Sequence, residues 1–375
     1  MAAQNGFIPF PASNYWNTNV ANAAIDPNSA TYISAMGSTT PLHADWDNVS
    51  GGIPYQIVDS TQTPLINNYS VTGAPDESDI MPWPITATTP IEAGSDHHIL
   101  VIDRATCGEF EAWESAYSGE LWSFYNTAVW DLANFNNRPY SWTSADAAGL
   151  SIFAGLVKYQ EVSYALAHSQ TTVGHAFRCT TSLNSTAVTP ATHIAGSDGS
   201  VPMGIRLRLK SSVDISSYSA ATQVILRTLQ TYGCIVADGG STLYVTGDPD
   251  PGWSNVPDYT SINAFDVADF DVVTTGTGLG SSSDPYTGNN WPTGSVPTIS
   301  SFTASATTVT SGTAVTLSWD ATGVSYYFID PSVGAGVGMV RGSSVVVNPT
   351  ATTTYTLNAT NAYGRTTAIV TINVQ

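Results

Sequence analysis

Charged side chains are what this 375-residue chain has least of. Asp, Glu, Lys and Arg make up 10% of it, against roughly a quarter in an ordinary soluble domain. Basic residues are the scarcest kind, with ten Lys and Arg facing 29 Asp and Glu for a formal net charge of −19. That field repels phosphate backbones and anionic lipid surfaces, so nucleic acid is excluded as a partner. No apolar run approaches the roughly 18 residues that a bilayer-spanning helix needs, which excludes membrane insertion by such a helix. Cysteine is nearly absent: Cys107, Cys179 and Cys234 allow one disulfide and one thiol, or three buried thiols, and stand too far apart for a zinc ribbon. Gly-x-Ser-x-Gly, a P-loop and a Gly-x-Gly-x-x-Gly after a strand are all missing, which removes nucleophile-elbow hydrolases and nucleotide chemistry. The opening Met-Ala-Ala-Gln has no basic or apolar leader character, so an export signal is expected to have been removed or never present.

Material for a core is plentiful. Hydrophobic residues make up 42% of the chain, with 10 Trp, 18 Tyr and 11 Phe, which excludes intrinsic disorder. The length predicts two domains, and composition places the division in the Gly/Ser/Thr/Pro-rich stretch 274–296, expected as a linker. Before it, residues 1–273 carry every His and every Glu. Most of this part reads as strands: 98–103, 109–113, 121–125, 174–179, 204–209, 234–237 and 243–246. Helices are few, one opened by Asp26-Pro27 and closed by Gly37, one at 216–231 before Gly233, and a third at 153–167. The expected fold class is mainly β, an antiparallel jelly roll or related β-sandwich in the first domain. Residues 297–375 alternate apolar and polar in short runs, the pattern of a second β-sandwich.

In that last segment, Pro297-Thr-Ile-Ser-Ser-Phe, Leu317-Ser-Trp319, Pro349-Thr-Ala-Thr-Thr-Thr-Tyr-Thr-Leu357 and Asn361-Ala-Tyr-Gly364 resemble bacterial immunoglobulin-like modules of secreted proteins. The resemblance implies a spacer or attachment unit without catalysis. Asp96-His-His-Ile-Leu-Val-Ile-Asp-Arg104, Trp142-Thr-Ser-Ala-Asp-Ala-Ala-Gly-Leu150 and Pro202-Met-Gly-Ile-Arg-Leu-Arg208 are similar to an uncharacterised group of secreted microbial β-rich proteins. With the Lys-poor, Thr/Ser/Asn-rich composition, this makes a secreted, extracellular protein the expectation.

The densest chemistry lies at 109–122, where Glu109, Glu111, Glu114 and Glu120 interleave with Phe110, Trp113, Tyr117 and Trp122. On a strand, Glu109, Glu111 and Trp113 share a face, and a bulge after Trp113 would add Glu114. Two carboxylates beside an aromatic platform are what glycosidic cleavage needs. Glu109-x-Glu111-x-x-Glu114 resembles the Glu-x-Asp-x-x-Glu strand of jelly-roll retaining glycosidases, with Glu111 standing where that family has Asp. The resemblance implies Glu109 as nucleophile and Glu114 as acid/base. Read from the residues themselves, Glu111 is the first choice of catalytic carboxylate, with Glu109, Glu114 or Asp131 as partner and Trp113 and Trp122 binding substrate. Asp238, ahead of Gly239-Gly240, is a further candidate for the second carboxylate of an inverting pair. The bland reading of the cluster is a solvated strand face.

His98 and His175, with Tyr244 or Tyr159 as acid and Arg178 or Arg206 neutralising a uronate, would suit β-elimination by a polysaccharide lyase. Asp96, His98, His175 and His193 could together bind a metal, although no local ligand motif fixes a pair. No cofactor is expected to be required; Asp76–Asp79, Asp248–Asp250 and Asp266–Asp271 allow a structural Ca²⁺ without matching an EF-hand loop. The expectation is a monomeric glycoside hydrolase acting on a polysaccharide, with a lyase or a non-catalytic glycan-binding or adhesion protein as the alternatives.

Overall fold

Runs such as Ile99-Leu-Val-Ile102 are apolar at every position, which suits a strand covered on both faces. The computed structural model describes residues 6–66, 68–134, 136–182, 185–196, 199, 201–274, 291–331 and 338–375, and it is mainly β. Its first part contains β1 (His43–Asp45), β2 (Tyr55–Val58), β3 (Tyr69–Val71), β4 (Ile99–Asp103), β5 (Gly108–Trp113), β6 (Ala116–Ser118), β7 (Leu121–Phe124) and β8 (Asn126–Asp131). It continues through β9 (Phe177–Thr181), β10 (Arg206–Leu209), β11 (Cys234–Gly239), β12 (Tyr244–Thr246) and β13 (Phe270–Val273). The helices are α1 (Ser29–Ala35), α2 (Ile152–Gly155), α3 (Tyr159–Ala167) and α4 (Ala220–Thr231). The expected third helix is thus split into α2 and α3, while α4 starts where Ser219 accepts a hydrogen bond from the Thr222 amide.

Three sheets arise from these strands, ordered β1-β12-β9-β11-β10-β13, β2-β4-β5-β8 and β3-β7-β6. An antiparallel jelly roll was the expectation, but β1/β12, β9/β11, β2/β4 and β3/β7 pair in parallel. The reason is connection length: β9 reaches β11 only after β10 and α4, and such a crossover returns a strand in the same direction.

Side-chain alternation sorts the layers. In β11, Cys234 and Val236 face a core shared with the helices, while Ile235 and Ala237 face the four-stranded sheet. In β4, Leu100 and Ile102 join that inter-sheet core, and Ile99 and Val101 point the other way with Phe110, Ala112 and Val129. The order of layers is therefore helices, six-stranded sheet, four-stranded sheet, and then a third core under β3, β6 and β7. All three cysteines are free thiols, Cys179 and Cys234 buried and Cys107 half-buried.

Beyond the expected linker, of which 275–290 lie outside the described residues, come β14 (Thr298–Ala304), β15 (Thr308–Val309), β16 (Val315–Thr322), β17 (Tyr326–Asp330), β18 (Met339–Val340), β19 (Ser344–Val347), β20 (Thr353–Asn361) and β21 (Gly364–Val374). They form the sheets β14-β16-β19 and β15-β21-β20-β17-β18 around a core that includes Leu317, Trp319, Ile329 and Leu357. This unit does not stand apart from the first. Tyr326 and Phe328 of β17 belong to the third core, with Trp83, Phe110 and Phe124. Arg341 pairs with Asp131, and Arg365 with Asp79.

Candidate active site

A cavity of about 600 Å³ opens beside the edges of β5 and β11, lined by Gly73–Glu77, Asp96, Trp113, Tyr125, Asn126, Thr143–Ala145, Ala147, His193, Ala195, Asp238 and Gly239. Four carboxylates and two aromatic rings make it acidic and aromatic. The Trp113 and Tyr125 rings meet edge-to-face with centroids 4.6 Å apart. Asn126 is buried on the wall; its Nδ2 donates to Ser144 O, while its Oδ1 finds no donor among the described residues.

Beneath this cleft lies a charged network centred on Arg178, which parallel pairing of β9 with β11 brings alongside Asp238. Arg178 is 2% exposed. Its Nε and Nη2 donate to the two oxygens of Asp146 at 2.9 and 2.6 Å, Nη1 donates to Thr246 Oγ1 at 2.5 Å, and Nη2 also reaches Asp238 at 3.2 Å. Burial pushes Asp238 up to about 7, reinforced by the Asp146 charge, with Arg178 opposing. Burial likewise raises Asp45 near the same guanidinium.

His98 sits at the end of β4 with Nδ1 2.7 Å from Glu92 and Nε2 3.1 Å from Ala145 O. Both ring nitrogens face acceptors, the arrangement of an imidazolium. Burial opposes that charge, but the Glu92 bond prevails and His98 is raised. Glu92 is lowered in spite of its own burial, by the hydrogen bond and charge of His98. Asp238, which lines the cleft, is therefore set towards the protonated form, while Glu92, outside the lining, is held towards the ionised form by His98.

The residues singled out from the sequence fall in different places. Trp113, Asp96, Asp238 and His193 line the cleft, and His98 and Arg178 support its floor. Glu109 and Glu111 do share a face of β5, but it is an interior face on which both are 0% exposed, and neither lines the cleft. Glu109 accepts from Ser151 Oγ at 2.6 Å and the Phe153 amide at 3.2 Å; Glu111 accepts from the Ile152 amide at 2.9 Å and the Ala145 amide at 3.3 Å. They anchor the segment 145–153 to the sheet. Glu114 turns off the strand with φ +47° and is exposed, away from the Glu109/Glu111 face.

Asp131 is committed to Arg341, Asn134 and the Ala133 amide. His175 is buried, with ring nitrogens facing Ala176 O and Glu161 at 2.8 and 3.0 Å. Trp122 is buried in the third core, and Tyr244 stacks on His43 with centroids 4.0 Å apart. Arg206 donates to Tyr15 O and Thr18 O. Among the described residues no group of three or more His, Cys, Asp or Glu is arranged to hold a metal ion. Of the acidic clusters considered for Ca²⁺, Asp79 pairs with two arginines, and Asp266 and Asp269 form a capping box.

Sequence reasoning finds Glu77 only within the Asp76–Asp79 cluster considered for Ca²⁺, and it does not single out Glu92, Asn126 or Asp146. Asp146 lies in the quoted Trp142–Leu150 stretch, but nothing local sets it apart from a turn-forming Asp; Glu92 is isolated in a loop. Comparisons with protein-family models, with curated proteins and with solved structures find no match.

Proposed function

We propose that the cleft is the active site of a secreted hydrolase that cleaves a neutral polysaccharide, with Asp238 in place of Glu111 as the acid that protonates the leaving glycosidic oxygen. The observation that carries this reading is a carboxyl held protonated to about pH 7 in an acidic, aromatic-lined cavity. The second carboxylate comes from the same lining. Glu77 is the first choice because the Thr143 amide donates to its Oε2 at 2.9 Å and fixes it, with Asp96 as the alternative. It attacks the anomeric carbon or takes the proton of the attacking water. Trp113 offers a stacking surface for a sugar ring. The concentration of acidic groups favours an uncharged substrate over a uronate.

The same reading takes the strands from 298 to 374 as an immunoglobulin-like module, and the first unit as a sandwich whose parallel pairs distinguish it from a jelly roll. Uronate elimination is less well supported, because the Arg178 guanidinium is occupied by Asp146, Asp238 and Thr246. Reducing-sugar release from a panel of neutral glycans tests the proposal. Asp238→Asn is expected to lower kcat/KM about a hundredfold or more. The wild type should lose activity on the alkaline side with a midpoint near pH 7, as the acid gives up its proton, and the variant should lack that limb. An active wild type that loses less than about tenfold in Asp238→Asn sinks the assignment. Tight glycan binding without product would make this a binding protein.

A further inference from the structure

The geometry points to the C-terminal β unit as a working part of the cleft, with Arg365 as a positioning residue for two of its walls. The cleft is lined by 73–77 on one segment and 143–145 on another, and neither is a strand or helix long enough to hold itself. Both are held by buried charge. Arg138, 1% exposed, donates to Thr143 O, to Glu77 O and, at 2.6 Å, to Asp79 Oδ2. Asp79, 0% exposed, also accepts from the Val129 amide at 3.0 Å, which ties it to β8.

The remaining oxygen of Asp79 is claimed from outside the first unit. Arg365, the second residue of β21, donates Nη2 to Asp79 Oδ1 and Nη1 to Ser78 O. Its guanidinium lies 4.7 Å from the Trp142 ring centroid, while that of Arg138 lies 5.5 Å from the same ring, so two cations hold the indole next to Thr143. A third tie comes from the neighbouring turn, where the Tyr140 amide donates to Ala362 O at 2.7 Å.

That turn is itself rigid. Asn361 Nδ2 donates to Gly323 O and Ser295 O at 2.7 and 3.0 Å, and the Tyr363 amide donates to Asn361 Oδ1 at 2.8 Å. Gly364 has φ +141°, and a Cβ there would stand 2.9 Å from Val296 Cγ1. A fixed turn that reaches across to grip Asp79, Ser78, Tyr140 and Trp142 constrains both cleft segments at once. Arg341, which pairs with Asp131, is the second charged contact between the units and does not touch either segment.

This inference rests on the proposed function only in treating the cleft as the working site, and its test does not depend on turnover. Amide hydrogen exchange is followed in the full chain for Arg365→Ala, Arg365→Lys and Arg341→Ala, with cooperative unfolding checked in each. Arg365→Ala is expected to speed exchange in 74–80 and 140–146 about tenfold or more while β4, β5 and β11 stay protected. Arg365→Lys keeps the charge, loses the two-pronged grip, and should fall between. Arg341→Ala should leave both segments within about twofold of the wild type. Unchanged protection in folded Arg365→Ala, or equal loosening by Arg341→Ala, overturns the inference. If a glycan is turned over, Arg365→Ala should raise KM while leaving the limb near pH 7 in place, since Asp238 is not in its contact set. Absence of turnover with the expected exchange pattern would reject the hydrolase reading alone.

Discussion

Arg178→Met is expected to lower unfolding free energy by roughly 3–5 kcal/mol, the cost of leaving a buried carboxylate without its partner. Asp146 is 0% exposed and takes two of the guanidinium's donors, and Asp238 takes a third interaction. Methionine fills the stem volume but supplies no donor, so the fully buried Asp146 is left without its partner, facing Asp238 on the cleft wall. Urea unfolding measures the loss. A companion variant separates charge from shape: Arg178→Met combined with Asp146→Leu removes both charges and should recover much of the deficit, since buried ion pairs are often replaceable by apolar residues at little net cost. A single-variant loss under about 1 kcal/mol would mean that water reaches Asp146 and that the network is not sealed.

The second large effect is on pH dependence. Glu109 and Glu111 lie side by side in the interior. Burial, chiefly, and for Glu109 the charge of its neighbour raise both carboxyls above their ordinary 4.5, Glu109 well above. Unfolding lets them titrate normally. From about pH 4.5 up to the raised values, the folded chain therefore holds protons that the unfolded chain has released, and stability falls as pH rises. Below that window the contribution is fully present. Each unit of elevation corresponds to about 1.4 kcal/mol. Glu109→Gln imitates the uncharged, protonated state and keeps an amide oxygen for the Phe153 amide. Melting temperatures between pH 5 and 8 should decline less steeply in this variant than in the wild type, with the gain appearing at pH 8. Parallel declines would show that the pair is not the source of the slope.

Much of the architecture could be read directly from residue order. Short apolar or alternating runs bounded by turn residues placed β4, β5, β9, β10, β11 and β12, and Ser216 to Gly233 located α4. The same pattern put Glu109 and Glu111 on one face, which they share. What it could not say is what covers that face. The covering segment, 145–153, is mostly irregular, and its backbone N–H groups at Ile152 and Phe153 replace the solvent that a carboxylate normally requires. Asp238 illustrates the converse. Its local context, an Asp before two glycines, is that of a turn, and its elevated affinity for a proton comes first from burial and then from the charge of Asp146, 92 positions away in the chain, against the opposing pull of Arg178. Long-range burial sets the chemistry, and short-range patterns do not encode it.

The packing of Tyr326 and Phe328 among Trp83, Phe110 and Phe124 bears on how this chain can evolve. Modules joined by a plain tether can be shuffled, duplicated or lost with little consequence for the partner. Here Tyr326 and Phe328 complete an apolar core built mostly by the first unit, and Asp131 and one oxygen of Asp79 are held by arginines more than two hundred residues downstream. Exchange of the C-terminal unit for an unrelated module would expose aromatic surface around Trp83, Phe110 and Phe124 and strip Asp131 of its arginine, leaving Asp79 with Arg138 alone, so the two units are not interchangeable parts.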